Sequence, residues 1–150
     1  MKNSPERQLI DRHQFAPHYL SLIANVLTSG SSREYLLRYG VGLNEARILT
    51  VLGHVPGLTQ TELSAAMAMN KSIVSRSLAS LIERGFISQE GTPRALHHHL
   101  TKAGFRIHDR IVPIALAREE ALLAGFTQEE RRQLLQMLAR MLRNTESMKA

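Results

Sequence analysis

The 150-residue sequence predicts a mostly α-helical protein with one small β-hairpin, which is an α+β fold. Apolar residues recur at helical spacing through most of the chain. Two Thr-x-x-Glu capping boxes, at Thr59 and Thr127, mark the starts of helices. One segment, residues 86–100, instead carries strand signals on either side of a turn that contains Gly and Pro.

Residues 1–40 are predicted to form an N-terminal helical region. The Gly30-Ser31-Ser32 cluster is expected to weaken or bend its helix. A break at Gly40-Val41-Gly42 then precedes a shorter helix that begins at Asn44. The apolar residues at helical spacing before this break include Leu20, Ile23, Val26 and Leu27.

Two further helices are predicted close together in the middle of the chain. Thr59 and Glu62 form the capping box of the first. Asn70 is a good N-cap for the second, which should run to about Arg84 and stop at Gly85. The buried stripe of this second helix is predicted to be Val74, Leu78, Leu81 and Ile82.

The opposite face of the second helix is short, rich in hydroxyl groups and basic near its N-terminal end. Small side chains allow close approach to base edges, and Arg76 could bind guanine as a bidentate donor. The alternative is that these serines are surface residues without a partner. The face consists of Lys71, Ser72, Ser75, Arg76, Ala79 and Ser80.

A hairpin follows at once. A strand at Phe86–Gln89 and a turn at Glu90–Pro93 lead through Arg94 into a second strand at Ala95–Leu100. Helix, turn, helix and hairpin in this order indicate a winged helix-turn-helix, with one helix in the major groove of DNA and the hairpin near the minor groove. Arg94 at the tip suits a narrow minor groove, and its alternative role is a salt bridge to a nearby acid. We therefore assign residues 41–101 to a DNA-binding domain.

Residues 102–150 are predicted to form C-terminal helices. Thr101 is a plausible N-cap, Pro113 would kink the first helix or remove one hydrogen bond, and Gly125 marks its end. The apolar stripe of the last helix has nearly the 3.5-residue period of helices that pack on other helices. We expect the N- and C-terminal helices to form a homodimer interface; the alternative is that they cover their own core. The stripe is Leu134, Met137, Leu138, Met141 and Leu142.

Composition agrees with a nucleic-acid partner. The net charge of +6 and the pI near 10.3 favour a polyanion. The absence of cysteine excludes disulfides, thiol redox sensing and Cys-ligated zinc. No stretch has the length of a membrane span or the apolar run of a signal peptide, so we expect a cytoplasmic protein without a membrane partner.

Seven histidines raise the question of a metal site. In a strand, His97 and His99 would point the same way and could chelate one ion, but no acid or cysteine stands at a completing spacing. We therefore predict a strand whose histidines are polar or contact backbone, with no metal and no cofactor. A phosphate-binding Gly-rich loop, a nucleophile elbow and an H-E-x-x-H motif are all missing, so we predict no enzymatic activity.

The central motifs resemble those of the multiple-antibiotic-resistance regulator (MarR) family of bacterial transcription factors. The matching segments are Leu43-Asn44-Glu45, Pro56 to Gln60 with Glu62-Leu63, Lys71-Ser72-x-Val74-Ser75-Arg76, Leu81 to Ile87, and Arg94 six positions before Leu100-Thr101. The resemblance implies a homodimeric regulator, expected to be a repressor, that binds a roughly palindromic operator in double-stranded DNA. It also implies release by a small molecule, frequently an aromatic acid. The alternative function is a winged-helix protein–protein interaction module that does not bind DNA.

Three departures from the family pattern stand out. Thr92 replaces an Asp that often braces the wing arginine, the wing is about three residues shorter than usual, and Ala46 replaces a common tryptophan. In a dimer we expect an effector pocket between the dimerisation helices and each DNA-binding lobe, where the small Ala46 could open space. His18, Tyr39 and Arg47 could line this pocket, and the guanidinium of Arg47 would hold a carboxylate. Otherwise Arg47 would pair with an acid such as Glu45 or Glu34. The predicted DNA contacts are Thr59, Gln60, Thr61, Lys71, Ser72, Ser75, Arg76, Ser80 and Arg94.

Overall fold

A computed structural model describes residues 7–148, and these residues form six α-helices and one two-stranded antiparallel sheet. The first six residues of the predicted N-terminal region and the last two of the C-terminal region lie outside the described residues. The elements are α1 Ala16–Tyr39, α2 Leu43–His54, α3 Gln60–Ala66, α4 Lys71–Glu83, β1 Ile87–Thr92, β2 Ala95–Leu100, α5 Lys102–Leu122 and α6 Gln128–Asn144. Short 3-10 helices precede α1 at Arg12–Gln14 and follow α6 at Thr145–Met148. The predicted mostly α-helical fold with one hairpin is confirmed.

The first helix runs continuously through Gly30-Ser31-Ser32, where the sequence predicts a weakened or bent helix. A glycine in a helix costs only about 1 kcal/mol relative to alanine. Burial of Ser31 and Tyr35 fixes this part of the helix in place. The predicted break at Gly40 is confirmed: Gly40 adopts a left-handed conformation with φ of 62°, and its N–H donates to the carbonyl of Leu36.

Helices α2, α3 and α4 enclose the hydrophobic core. The predicted stripe of α4 faces inward, although Ile82 is only half-buried. Because α2 and α4 contact each other directly, the stripe determines which face of α4 remains exposed. The largest fully buried side chains of these helices are Ile48, Leu49, Leu52, Leu63, Leu81 and Val74.

Both predicted capping boxes are present. The Thr59 hydroxyl accepts from the N–H of Glu62, and the Glu62 carboxylate accepts from the N–H of Thr59 at 2.7 Å. Thr127 and Glu130 repeat this arrangement at the start of α6. Asn70 caps α4 by accepting from the N–H of Ser72 at 2.9 Å.

The hairpin is longer and its turn is tighter than predicted. Strand β1 continues through Glu90 and Gly91 to Thr92, which pairs with Ala95, so only Pro93 and Arg94 form the turn. Our assignment of Glu90–Pro93 to the turn was therefore wrong. Gly91 makes the pairing feasible: its φ is 115°, and a Cβ on this residue would lie 2.3 Å from the carbonyl oxygen of Ala95.

The chain separates into two compact units, with the boundary between Val112 and Pro113 inside α5. In the second unit, the end of α5 and helix α6 are joined by an ion pair between Glu120 and Arg131 at 2.6 Å. This contact lowers the pKa of Glu120, chiefly through the hydrogen bond from Arg131. No residue of α6 is buried. Among the described residues, no helix is both long enough and apolar enough to cross a membrane.

Candidate nucleic-acid interface

Helix α4 presents the face that the sequence assigned to DNA. Lys71, Ser72, Ser75 and Arg76 are exposed, while Val74 and Leu78 on the other side of the helix are buried. The hydrophobic stripe therefore turns hydroxyl groups and cations outward. The exposed face carries no acidic side chain between Lys71 and Ser80.

Two arginines at this surface are free of protein partners. Within residues 7–148, neither Arg76 on α4 nor Arg94 in the hairpin turn makes a hydrogen bond or an ion pair. The salt bridge considered for Arg94 is therefore not made within the described part of the chain. By contrast, Arg84 and Arg131 both pair with carboxylates. The two free guanidinium groups remain available to an external anion.

Other residues predicted to contact DNA also make hydrogen bonds that stabilise the local structure. The Gln60 amide donates to the carbonyl of Lys71 at 3.3 Å and joins the start of α3 to the start of α4. The Ser72 hydroxyl donates to Asn70 at 2.9 Å. Thr59 caps the N-terminus of α3. Its backbone N–H and, to a smaller extent, its hydroxyl donate hydrogen bonds that lower the pKa of Glu62. Thr61 is exposed beside them.

Ser80 differs from the other residues predicted on this face. It is half-buried, and its hydroxyl donates to a carboxylate oxygen of Glu45 at 2.5 Å. The same carboxylate accepts from the N–H of Gly42 at 2.7 Å and pairs with Arg84 at 3.3 Å. The expectation that Ser80 lies on the exposed face is therefore wrong, because Glu45 draws its hydroxyl toward the start of α2.

Sequence reasoning missed this cluster around Glu45. It joins residues separated by 35 positions, Glu45 and Ser80, and no local pattern signals such a contact. The Arg84 side chain also lies over the ring of Phe86, 4.8 Å from its centroid, at the point where α4 leads into β1. The cluster therefore fixes the C-terminal end of α4 against the start of α2.

The histidine run lies against the loop between α2 and α3. Nδ1 of His97 lies 2.8 Å from the carbonyl oxygen of Gly57, and Nδ1 of His98 lies 2.9 Å from that of Leu58. The prediction that these histidines contact backbone is confirmed. The described residues contain no cluster of three or more His, Asp or Glu side chains placed to hold a metal ion.

The structure does not bring the three predicted effector residues together. His18 and Tyr39 lie near opposite ends of the continuous helix α1, about 31 Å apart at 1.5 Å per residue. Arg47 is exposed and donates to the carbonyl oxygen of Met67 at 3.3 Å. Pairing of Arg47 with Glu45 or Glu34 is not seen, because those acids bind Arg84 and Arg38. The three residues therefore do not line one pocket within a single chain, and an effector pocket formed in a dimer stays a prediction.

Comparison with known proteins identifies the arrangement. The family model described as MarR family matches residues 39–95, which span α2, α3, α4 and most of the wing. A MarR/EmrR family regulator from Acinetobacter sp. ADP1 superposes with a TM-score of 0.84 at 27% identity, over 92% of this chain and 99% of the other. Residues 39–95 of the chain therefore match the MarR family. The similar proteins are named as transcriptional regulators.

Two further similar proteins extend the comparison. The uncharacterized HTH-type transcriptional regulator YdgJ of Bacillus subtilis (strain 168) is 27% identical over 114 residues, which cover 74% of this chain and 70% of YdgJ. The MepR protein of S. aureus, in a crystal structure of its complex with DNA, has a TM-score of 0.77 at 19% identity. That match covers 89% of this chain and 99% of MepR. At this identity the MepR match supports the fold alone.

Proposed function

We propose that this protein is a homodimeric transcriptional repressor of the MarR family that binds a pseudo-palindromic operator in double-stranded DNA. The observation that carries the proposal is the exposed, acid-free face of α4 together with the exposed hairpin turn, with the guanidinium groups of Arg76 and Arg94 unpaired among residues 7–148. Unpaired cations on a small-residue helix suit base edges and phosphates. The MepR–DNA complex shows that a protein of this fold binds DNA. Because the proposed partner is chromosomal DNA, we propose a cytoplasmic location and no catalytic activity.

The proposed DNA contacts combine reading and positioning roles. We assign base reading to Arg76, supported by Ser72 and Ser75, and minor-groove binding to Arg94. Residues at the start of α3 and α4 are close enough to helix N-termini to contact phosphates. Ser80 takes part only if its bond to Glu45 opens. The positioning group is Thr59, Gln60, Thr61 and Lys71.

We propose dimerisation through helices that keep large apolar side chains exposed. On α6, Leu135 is 58% and Leu142 64% exposed. Helix α1 likewise exposes Leu22 and Val26. Apolar surface on two helices with the period of helix packing suits a second copy of the chain. We expect the chain to become monomeric or insoluble when the segment from Thr127 onward is deleted, as light scattering would show; a dimeric truncated chain contradicts this interface.

The DNA-binding proposal is tested by affinity measurements on genomic fragments. The strongest fragment is selected by gel shift, and fluorescence anisotropy then measures its affinity at two salt concentrations. We expect Arg76→Ala to weaken binding by about 1–3 kcal/mol and to relax the preference at one position per half-site. The control is Arg38→Ala, which removes an equal charge from α1, where Arg38 pairs with Glu34.

The outcomes separate the two functions. A protein–protein module would show no fragment preference, and its residual binding would change equally in both arginine variants. Base reading predicts a loss confined to Arg76→Ala and to matched sites. Equal losses of DNA affinity in Arg76→Ala and Arg38→Ala would indicate that Arg76 contributes only its positive charge and reads no base.

We further propose that an aromatic carboxylate releases the operator. Arg47 is the anchor that the structure leaves accessible, because its only described partner is the carbonyl of Met67 at the end of α3. A carboxylate would form a bidentate pair with the guanidinium and displace this neutral contact. Since Met67 follows the helix that leads into α4, this exchange would change the support of the recognition helix and favour the form that does not bind DNA.

A further inference from the structure

His98 occupies a buried position between the wing and the DNA-binding helices. The residue is 3% exposed in the middle of β2. Its N–H donates to the carbonyl of Leu58 at 3.0 Å, and its own carbonyl accepts from the N–H of Gly57 at 2.9 Å. The loop between α2 and α3 is thereby held against β2, directly before Thr59, the cap of α3.

The ring of His98 adds two more contacts. Nδ1 lies 2.9 Å from the carbonyl oxygen of Leu58, and Nε2 lies 3.2 Å from Nε2 of Gln89 on β1. A carbonyl oxygen can only accept, so Nδ1 must carry the proton. Nε2 is then the acceptor for the Gln89 amide. The neutral ring therefore satisfies both contacts at once.

A second proton would disturb this arrangement. With Nε2 protonated, an N–H group would face the N–H₂ group of Gln89, which places a donor against a donor. Either the Gln89 amide must flip so that its oxygen accepts from Nε2, or the hydrogen bond between His98 and β1 is lost. The ring bridges β1, β2 and the loop, so its protonation acts on all three.

The bridge controls the space between the proposed DNA contacts. His98 and Gln89 line a cavity of about 270 Å³ together with Arg94 of the wing and Thr61 of α3. The width of this cavity is the spacing between the wing and the start of α3. A regulator that binds two grooves at once depends on such a spacing being fixed.

We propose that His98 is a positioning residue whose neutral ring fixes the wing against α3, so that operator binding weakens when the ring is protonated in acid. The proposal rests on the proposed DNA-binding function. Imidazole is the side chain that ordinarily gains its charge between pH 8 and 5. The other charged or titratable groups near this junction are Glu62 on α3, Glu90 on β1, His97 and His99 on β2, Arg94 in the turn and His54 at the end of α2.

Protonation of the neighbouring histidines is expected to have the opposite effect on affinity for DNA. His97 contacts the Gly57 carbonyl from the exposed side of β2, and His99 lies 3.9 Å from Glu90. Protonation of either adds positive charge near DNA, which strengthens binding to a polyanion. A loss of affinity in acid is therefore specific to the buried ring and is not the general result of adding charge.

The test compares pH profiles of operator affinity for three proteins at constant salt. His98→Asn keeps a donor toward Leu58 and does not titrate. We expect the parent to lose about tenfold in affinity relative to this variant between neutral pH and about pH 5.5, the effect of one lost buried hydrogen bond. Gln89→Glu supplies a carboxylate that accepts from a protonated Nε2, so we expect it to abolish or reverse the loss. Equal pH slopes in the parent and His98→Asn would overturn the proposal.

Hydrogen exchange of the Gly57 and His98 amides gives a second measurement that requires no DNA. After correction for intrinsic rates, their protection should fall in acid in the parent but not in His98→Asn. If His98→Asn does not fold, the comparison of the parent with Gln89→Glu decides in its place. If no fragment is bound at neutral pH, the proposed function fails. Unchanged protection in the parent in acid instead refutes the role of His98.

Discussion

Glu45 links the start of α2 to the recognition helix, and its removal is predicted to destabilise the DNA-binding unit. One carboxylate, 13% exposed, accepts from the hydroxyl of Ser80 and the N–H of Gly42 and pairs with Arg84. The substitution Glu45→Ala removes all three contacts together. The unit loses stability, and α4 loses the contact that fixes its C-terminal half.

The expected loss in the free energy of unfolding follows from the three contacts. A hydrogen bond to a charged group contributes about 1.5–3 kcal/mol, which applies to the short bond from Ser80. Loss of the bond to the Gly42 N–H costs about 0.5–1 kcal/mol, as for a helix cap. The Arg84 side chain is 33% exposed, so screening limits that ion pair to about 0–1 kcal/mol. Because the contributions share one carboxylate and overlap, we expect a total loss of about 2–4 kcal/mol.

The assay is urea unfolding followed by circular dichroism at one fixed protein concentration, since the proposed dimerisation would couple stability to concentration. The control is Glu129→Ala, because Glu129 is 51% exposed and, among the described residues, binds only Arg132 and Gln133 on the surface of α6. A double-mutant cycle of Glu45→Ala with Ser80→Ala isolates the short bond. A loss below about 1 kcal/mol, or one no larger than in the control, refutes the role given to Glu45.

Three further predictions concern the wing, the first capping box and the effector. Arg94→Ala should weaken operator binding most when the flanking DNA is A·T-rich, and equal losses on G·C-rich flanks in anisotropy assays would indicate a phosphate contact. The pKa of Glu62 is held below its usual 4.5 by the hydrogen bonds from Thr59, so its stabilising effect is complete above that value and lost as pH falls through the lowered pKa. Unfolding measured from about pH 7 to pH 3 should therefore show a smaller acid loss in Glu62→Gln than in the parent. Arg47→Ala should keep operator binding but lose release by an aromatic acid in a titration of the complex; equal release excludes Arg47 as the anchor.

Much of the fold followed from local sequence signals. The capping boxes at Thr59 and Thr127, the N-cap at Asn70 and the stop at Gly85 lie where the sequence placed them. These features depend on neighbours within about four residues, so the sequence contains the whole interaction. The exposed face of α4 was also predictable, because the periodicity of its buried stripe determines the opposite side.

The predicted secondary structure differed from the observed one where helix packing or strand pairing outweighed a weak local signal. The Gly30-Ser31-Ser32 cluster was expected to weaken or bend α1, but the helix runs continuously through it, where Ser31 and Tyr35 are buried. Glu90–Thr92 looked like a turn from composition, but cross-strand pairing to Ala95–His97 extended the strand. Residues that often form turns can also adopt strand conformation, and the partner strand determines whether they pair.

Contacts between distant residues were decided by the tertiary structure alone. The sequence showed Glu45 and Arg47 close together, but folding paired Glu45 with Ser80 and Arg84 and left Arg47 to the carbonyl of Met67. Likewise, the sequence predicted that the histidine strand contacts backbone, but not which carbonyls or which ring nitrogen carries the proton. A side-chain partner 30 or 40 residues away depends on how helices cross and how loops close, and no local spacing encodes that geometry.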